Sequence, residues 1–158
     1  MGRWRDGTGT LRVRGGPHDD VREDLYGDVG GGVHGDVRDG TDGDVPGGVL
    51  DADVPLDVPL EVAASYRART RGLLGRDGVT GALLLTPASS VHTFGMRFAI
   101  DVAYLDRRLT VLAVRTMRPG RLGLPRPRAR HVLEAEAGAM ERWGLRTGAR
   151  VTIRCPGA

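Results

Sequence analysis

The sequence predicts a mainly β fold: a small β-sandwich or partly open barrel with two short helices, preceded by a disordered N-terminal segment. Three observations lead there. From about residue 55 onward the chain is cut into short apolar runs separated by Gly, Pro and Asp-Arg turns. Only two stretches have helical rather than alternating spacing. Residues 1–60 differ in kind from residues 61–158.

The contrast between the halves is one of charge and of apolar content. Residues 1–60 hold 6 Arg against 13 acidic residues, a net of −7, whereas residues 61–158 hold 17 Arg against 7, a net of +10. The first 60 residues contain 14 of the 25 glycines and neither Ile nor Phe. Ordering a residue costs roughly 1–2 kcal/mol, which so little apolar surface does not offset. Residues 1–54 are therefore expected to be disordered and residues 55–158 to form the folded domain. Asp-Val recurs at 20–21, 28–29, 36–37 and 44–45, an interval of eight. The stretch lacks the Gly-Gly-x-Gly-x-Asp pattern of calcium-binding β-rolls and reads as low-complexity sequence.

The elements of the second half follow in order. Val54, Leu56, Val58, Leu60 and Val62 alternate with polar residues or Pro, predicting a strand. Pro55 and Pro59 make it an edge strand or an extended entry, because proline has no N–H for a second ladder. Ser65 can N-cap a short helix running to about Leu74, with Gly75 beyond its end and Gly72 a costly interior residue. Gly81–Leu85 reads as a buried strand ended by Pro87. Val91–Phe98 reads as extended. Ile100–Leu105 and Leu109–Met117 read as a hairpin around Asp106-Arg107-Arg108. Arg130–Glu134 is a strand, Ala137–Trp143 a short helix closed by Gly144, and Val151–Arg154 a last strand.

Composition excludes several classes of function. All 23 basic residues are Arg, and Lys, Asn and Gln are absent, the signature of a GC-rich genome. Arginine content alone is thus weak evidence for anion recognition. The single Cys155 leaves no disulfide framework and no multi-thiolate zinc site. No apolar run approaches the ~18 residues of a membrane span, so a soluble, cytoplasmic protein is expected. Neither Gly-x-Gly-x-x-Gly nor a Walker pattern is present, and no cofactor is expected. His131 and Glu134 are three apart in a strand, hence on opposite faces, and no metal site is expected. Ser89 or Ser90 with His92 and Asp101 could form a nucleophilic set, but no Gly-x-Ser-x-Gly elbow supports it, and no catalytic residue is assigned.

Three motifs resemble the domain-of-unknown-function family one hundred and ninety-two: Arg71-Gly72-Leu73-Leu74-Gly75-Arg76; Val91-His92-Thr93-Phe94-Gly95-Met96-Arg97-Phe98-Ala99-Ile100-Asp101 through Asp106; and Val132-Leu133-Glu134-Ala135 followed by Gly138, Gly144-Leu145 and Gly148. The resemblance spans about residues 58–154. It implies a compact β-sandwich of jelly-roll-like character and no settled activity. Many members carry Trp-Met-Lys-Asn-Thr before the Leu-Asp pair. Here Gly95, Met96, Arg97, Phe98 and Ala99 stand in those places, keeping Met96 and a basic residue but not the amide. His92 is a feature of the branch this chain resembles.

The candidate ligand-binding residues are Arg71, Arg76, His92, Met96 and Asp101. His92 and Met96 would share a face of an extended segment. Asp101 interrupts an apolar strand and needs a cationic or N–H partner, for which Arg71 or Arg76 is expected. The function expected is that of a binding or accessory module with a polar pocket for a small or anionic ligand. A small hydrolase or transferase with His92 as base is the first alternative. Weak nucleic-acid binding through Arg115, Arg118, Arg121, Arg126, Arg128 and Arg130 is the second, disfavoured because the few aromatics sit at core-like positions.

Overall fold

The computed structural model describes residues 4–14 and 56–155. Among the described residues, nine strands and two short helices follow one another: β1 Gly7–Arg14, β2 Leu56–Ala63, α1 Tyr66–Arg71, β3 Ala82–Leu85, β4 Val91–His92, β5 Ile100–Leu105, β6 Val111–Met117, β7 Leu122–Gly123, β8 His131–Glu136, α2 Ala139–Arg142 and β9 Arg150–Arg154. Seven strands form one sheet in the order β6-β5-β8-β3-β2-β1-β9, and β4 pairs with β7 in a separate two-stranded sheet. The large sheet curls until its ends meet. Thr110 bridges Arg150, the Val111 N–H donates to the Ala149 carbonyl at 2.9 Å, and the Val151 N–H donates to the Leu109 carbonyl at 3.0 Å. Of the two architectures expected, the partly open barrel is the one formed: it is closed where β6 and β9 begin.

The central strands are buried on both faces, which is why they read as unbroken apolar runs. Ala82, Leu84, Ala103, Leu105, Leu133 and Ala135 point into the barrel beside Leu11, Leu60 and Met140. Leu83, Leu85, Ile100, Val102, Tyr104 and Val132 point outward under Leu73, Val91 and Met96. The outer layer is laid down by α1, the turn after it and the β4–β7 pair.

Residues 7–14 correct the expectation that residues 1–54 are disordered. β1 lies between β2 and β9, antiparallel to both, with Leu11 opposite Val58 and Ile153. Leu11 is fully buried and Val13 nearly so. Gly9 fits because β9 passes so close that a Cβ there would strike the Arg154 carbonyl. Just before the strand, the Asp6 carboxylate accepts the N–H groups of Ala64 and Ser65 at 2.6 and 2.7 Å, fixing the entry to α1. The Asp-Val repeats at 20–45 lie outside the described residues.

Local corrections have plain causes. β2 is an interior strand, yet its pairing with β3 starts only at Leu60, so Pro59 meets a partner on the β1 side alone. Ser65 does cap α1, its hydroxyl accepting from the Ala68 N–H at 3.2 Å. The helix ends earlier than expected, because Gly72 is its C-cap at φ +47° rather than an interior residue. Residues after His92 turn instead of extending: the Met96 N–H returns to the Thr93 carbonyl at 3.2 Å. Among the described residues, no helix is long and apolar enough to cross a membrane.

Candidate functional site

The turn that follows α1 overlies the outer face of β8. Register puts Val132 and Glu134 on that face, with Glu134 opposite Leu83 and Val102. Glu134 is 3% exposed, and apolar neighbours on both sides disfavour its ionised form. Burial raises its pKa from the ordinary 4.5 to about 7, against the opposing pull of the Arg76 guanidinium. Above it, Gly72 brings the α1 terminus close. A Cβ at that position would lie 3.9 Å from the Glu134 Oε2.

Glu134 forms part of the lining of a cleft of about 80 Å³, whose other walls include Arg69, Arg71, Ser90, His92 and Met96. The cleft is small against the ~300–1,000 Å³ of sites that enclose a whole cofactor, and admits a few waters or the end group of a ligand. Arg69 is held in place by the carbonyls of Ala64 and Thr86. Arg71 is exposed and has no ion pair among the described residues. His92 is exposed and stacks on Phe94 with ring centroids 5.4 Å apart. The turn bearing these rings is anchored by buried Thr93, whose hydroxyl donates to the Arg118 carbonyl at 2.6 Å and accepts the Arg121 N–H at 2.9 Å.

Of the residues singled out in the sequence, Arg71, His92 and Met96 come together in this cleft. Arg76 and Asp101 do not. Arg76 forms a two-pronged ion pair with Glu61 at 2.9 and 2.8 Å, which holds the Glu61 carboxyl below its usual range. Asp101 faces the barrel interior, at the end of β5 opposite Thr116 of β6. Its carboxylate accepts the Thr116 hydroxyl at 2.7 Å and the Met140 N–H at 3.2 Å. The expected ion pair of Asp101 with Arg71 or Arg76 is therefore corrected. The partners are a hydroxyl and a helix N–H, and α2 has no side-chain cap of its own. Asp101 lines a separate depression of about 330 Å³ with Gly138, Glu141 and Arg146.

Glu134, weighed in the sequence only as a metal ligand, and Arg69 are the cleft residues that sequence reading did not offer for ligand binding. The signal for Glu134 was the same as for Asp101, a charge inside an apolar strand. A further titratable group, His131, is a core residue: its Nδ1 lies 2.7 Å from the Thr86 hydroxyl, Trp4 meets its ring edge-on, and burial lowers its pKa. Among the described residues no three His, Cys, Asp or Glu side chains cluster as a metal site would require.

Known proteins resemble this chain in both sequence and fold. A UPF0127 protein of Pyrococcus horikoshii is 31% identical over 87 residues, covering 52% of this chain and 76% of the relative. A UPF0127 protein of Pyrococcus abyssi is 29% identical over 97 residues, covering 58% and 83%. The fold matches that of a candidate transcription regulator from Sinorhizobium meliloti with a TM-score of 0.63 at 14% identity, over 96% of this chain and 98% of the other. A Novosphingobium aromaticivorans protein of unknown function aligns at a TM-score of 0.54 and 17% identity, over 62% and 76%. The family model DUF192, described as an uncharacterized ACR, matches residues 49–153. The chain belongs to the DUF192 family.

Proposed function

We propose that this chain is a binding module that holds the anionic end of a small ligand in the cleft between α1 and β4. The observation behind this reading is the convergence of three sequence motifs: Arg71 from the first, His92 and Met96 from the second and Glu134 from the third border one cleft. Arg69 and Arg71 line it together with Glu134, whose pKa burial raises to about 7. Protonated Glu134 offers an O–H donor to an anionic oxygen; ionised, it repels the ligand. Arg71 supplies the fork suited to carboxylate or phosphate.

A ligand-observed NMR screen of the full chain tests this, using inorganic phosphate, acetate, oxalate and glycolate against neutral molecules of matching size. Binding is expected among the anions and is expected to vanish in Arg71→Ala. A screen in which neutral molecules bind equally, or in which Arg71→Ala binds as well as wild type, contradicts the reading.

A second reading, a small hydrolase with His92 as base, has one observation in its favour. His92 is open to solvent and shares the cleft with Ser90 and Glu134, whereas a purely structural histidine would be buried with its nitrogens paired. Turnover of simple activated esters that is abolished by His92→Ala would favour it. No turnover by wild type would leave binding as the role.

A further inference from the structure

Beside the cleft, the β4–β7 pair carries a ridge of apolar side chains exposed to solvent. His92 is the cross-strand partner of Leu122, and Phe94 stacks on His92. Phe94 is 52% exposed, Leu122 61% and Leu124 75%. Three large apolar side chains exposed on and beside one short strand pair suit an interaction surface. The ridge continues into a groove of about 750 Å³ lined by Arg115, Arg118, Arg121 and Arg126, with no acidic residue along it among the described residues.

We propose that this ridge and groove form a docking surface for an anionic lipid bilayer. Leu122 and Leu124 would enter the boundary between headgroups and acyl chains, and the arginines would meet lipid phosphates, the pairing of contacts by which proteins lie on membranes without spanning them. Charge complementarity selects an anionic partner. Two further features select a bilayer over a nucleic acid. Inside the groove the aromatic residue, Tyr104, is 2% exposed and is faced by the Arg126 guanidinium at 4.7 Å, so the arginine-lined floor itself offers no platform for a stacked base, and the exposed ring beside it, Phe94, stacks on His92. Protruding leucines gain nothing from a phosphate backbone and much from an acyl layer.

The test is sedimentation of the full chain with vesicles of phosphatidylcholine alone and of phosphatidylcholine mixed with phosphatidylglycerol. Binding is expected to the anionic vesicles only. Leu122→Ser with Leu124→Ser leaves the charge unchanged and is expected to weaken it about a hundredfold, roughly tenfold per leucine. Arg121→Ala is expected to weaken it about fivefold. Both leucines are exposed, so an unchanged melting temperature shows that the double variant is folded. Failure to bind anionic vesicles overturns the proposal. So does a leucine variant that binds like wild type while single-stranded oligonucleotide competes fully, which would make the groove a general polyanion site. A wild-type dimer that the leucine variant reduces to a monomer would assign the ridge to self-association instead, again overturning it.

Discussion

The carboxylate of Asp101 accepts the backbone N–H of Met140 at 3.2 Å, so a side chain from β5 caps a helix thirty-nine positions further along the chain. The second oxygen takes the Thr116 hydroxyl at 2.7 Å. Together these bonds tie α2, whose Met140 is fully buried, to the end of the barrel away from the β6–β9 closure. The carboxylate therefore has a structural explanation that involves no ligand.

Removing it strands the buried Met140 N–H, while Thr116, being exposed, turns to water. Asp101→Ala is expected to cost about 1–3 kcal/mol, and Asp101→Asn, which keeps an acceptor oxygen, less. Arg71→Ala is expected to stay within about 0.5 kcal/mol of wild type, as exposed substitutions do. Urea unfolding of the three variants checks this. Coupling between Asp101 and Arg71 in a double-mutant cycle would restore the ion pair that the geometry lacks.

Glu134 gives stability a dependence on pH with a defined sign. Its folded-state pKa of about 7 stands above the ordinary 4.5, so the folded chain holds this proton more tightly than the unfolded chain. The contribution to stability falls as pH rises from about 4.5 to about 7 and is flat beyond, a loss on the order of 3 kcal/mol. His131 acts oppositely. Burial holds its pKa below the ordinary 6.5, so the unfolded chain is protonated first and stability falls as pH drops below 6.5. Glu134→Gln should therefore be more stable than wild type at pH 8 and lose that advantage near pH 4.5. An equal difference at both pH values would contradict the buried titration.

The Arg76–Glu61 pair, though two-pronged, is more than a third exposed on both side chains. Screening by water limits it, and Arg76→Ala is expected to cost below about 1 kcal/mol. Because Glu61 is held below its ordinary range, what it contributes is present above pH ~4.5 and is lost as pH falls through its folded-state value. A cost of several kcal/mol in urea unfolding at pH 7 would assign Arg76 a buried role.

β1 belongs to the barrel. Leu11→Ala is expected to cost about 2–5 kcal/mol, the range for a fully buried leucine. A chain truncated to residues 55–158 is expected to lose cooperative unfolding, since β2 and β9 would each lose a neighbour. Retention of the full chain's melting temperature after truncation would show that β1 is dispensable.

How far the sequence reveals this fold depends on how local each signal is. β3, and β5 apart from Asp101, are apolar on both faces, as strands covered on both sides are. β1 hides in plain view: Leu11 and Val13 alternate with Arg12 and Arg14, but four residues weigh little in a composition averaged over sixty. Its order comes from ladders to residues 56–62 and 150–154, which no local window contains. β7 has only two residues, held by β4 across the sheet. The site divides along the same line. Asp101 and Glu134 give one signal, a charge in an apolar strand. Which of them meets a helix N–H and which meets an open cleft depends on what packs above each strand. His92 and Met96 reach the same cleft through a turn, where an extended segment was expected.

The central claim is that the cleft of Arg71, His92 and Glu134 takes an anionic end group, and backbone-amide NMR of the full chain titrated with phosphate and with acetate tests it most directly. Saturable shifts are expected in residues 69–74 and 91–96 and at Glu134, absent in Arg71→Ala, and for acetate, whose charge is the same at both values, stronger at pH 6 than at pH 8 because burial raises the Glu134 pKa to about 7. Shifts confined to the groove of Arg115, Arg118 and Arg121, or shifts in the cleft that Arg71→Ala leaves unchanged, would contradict it.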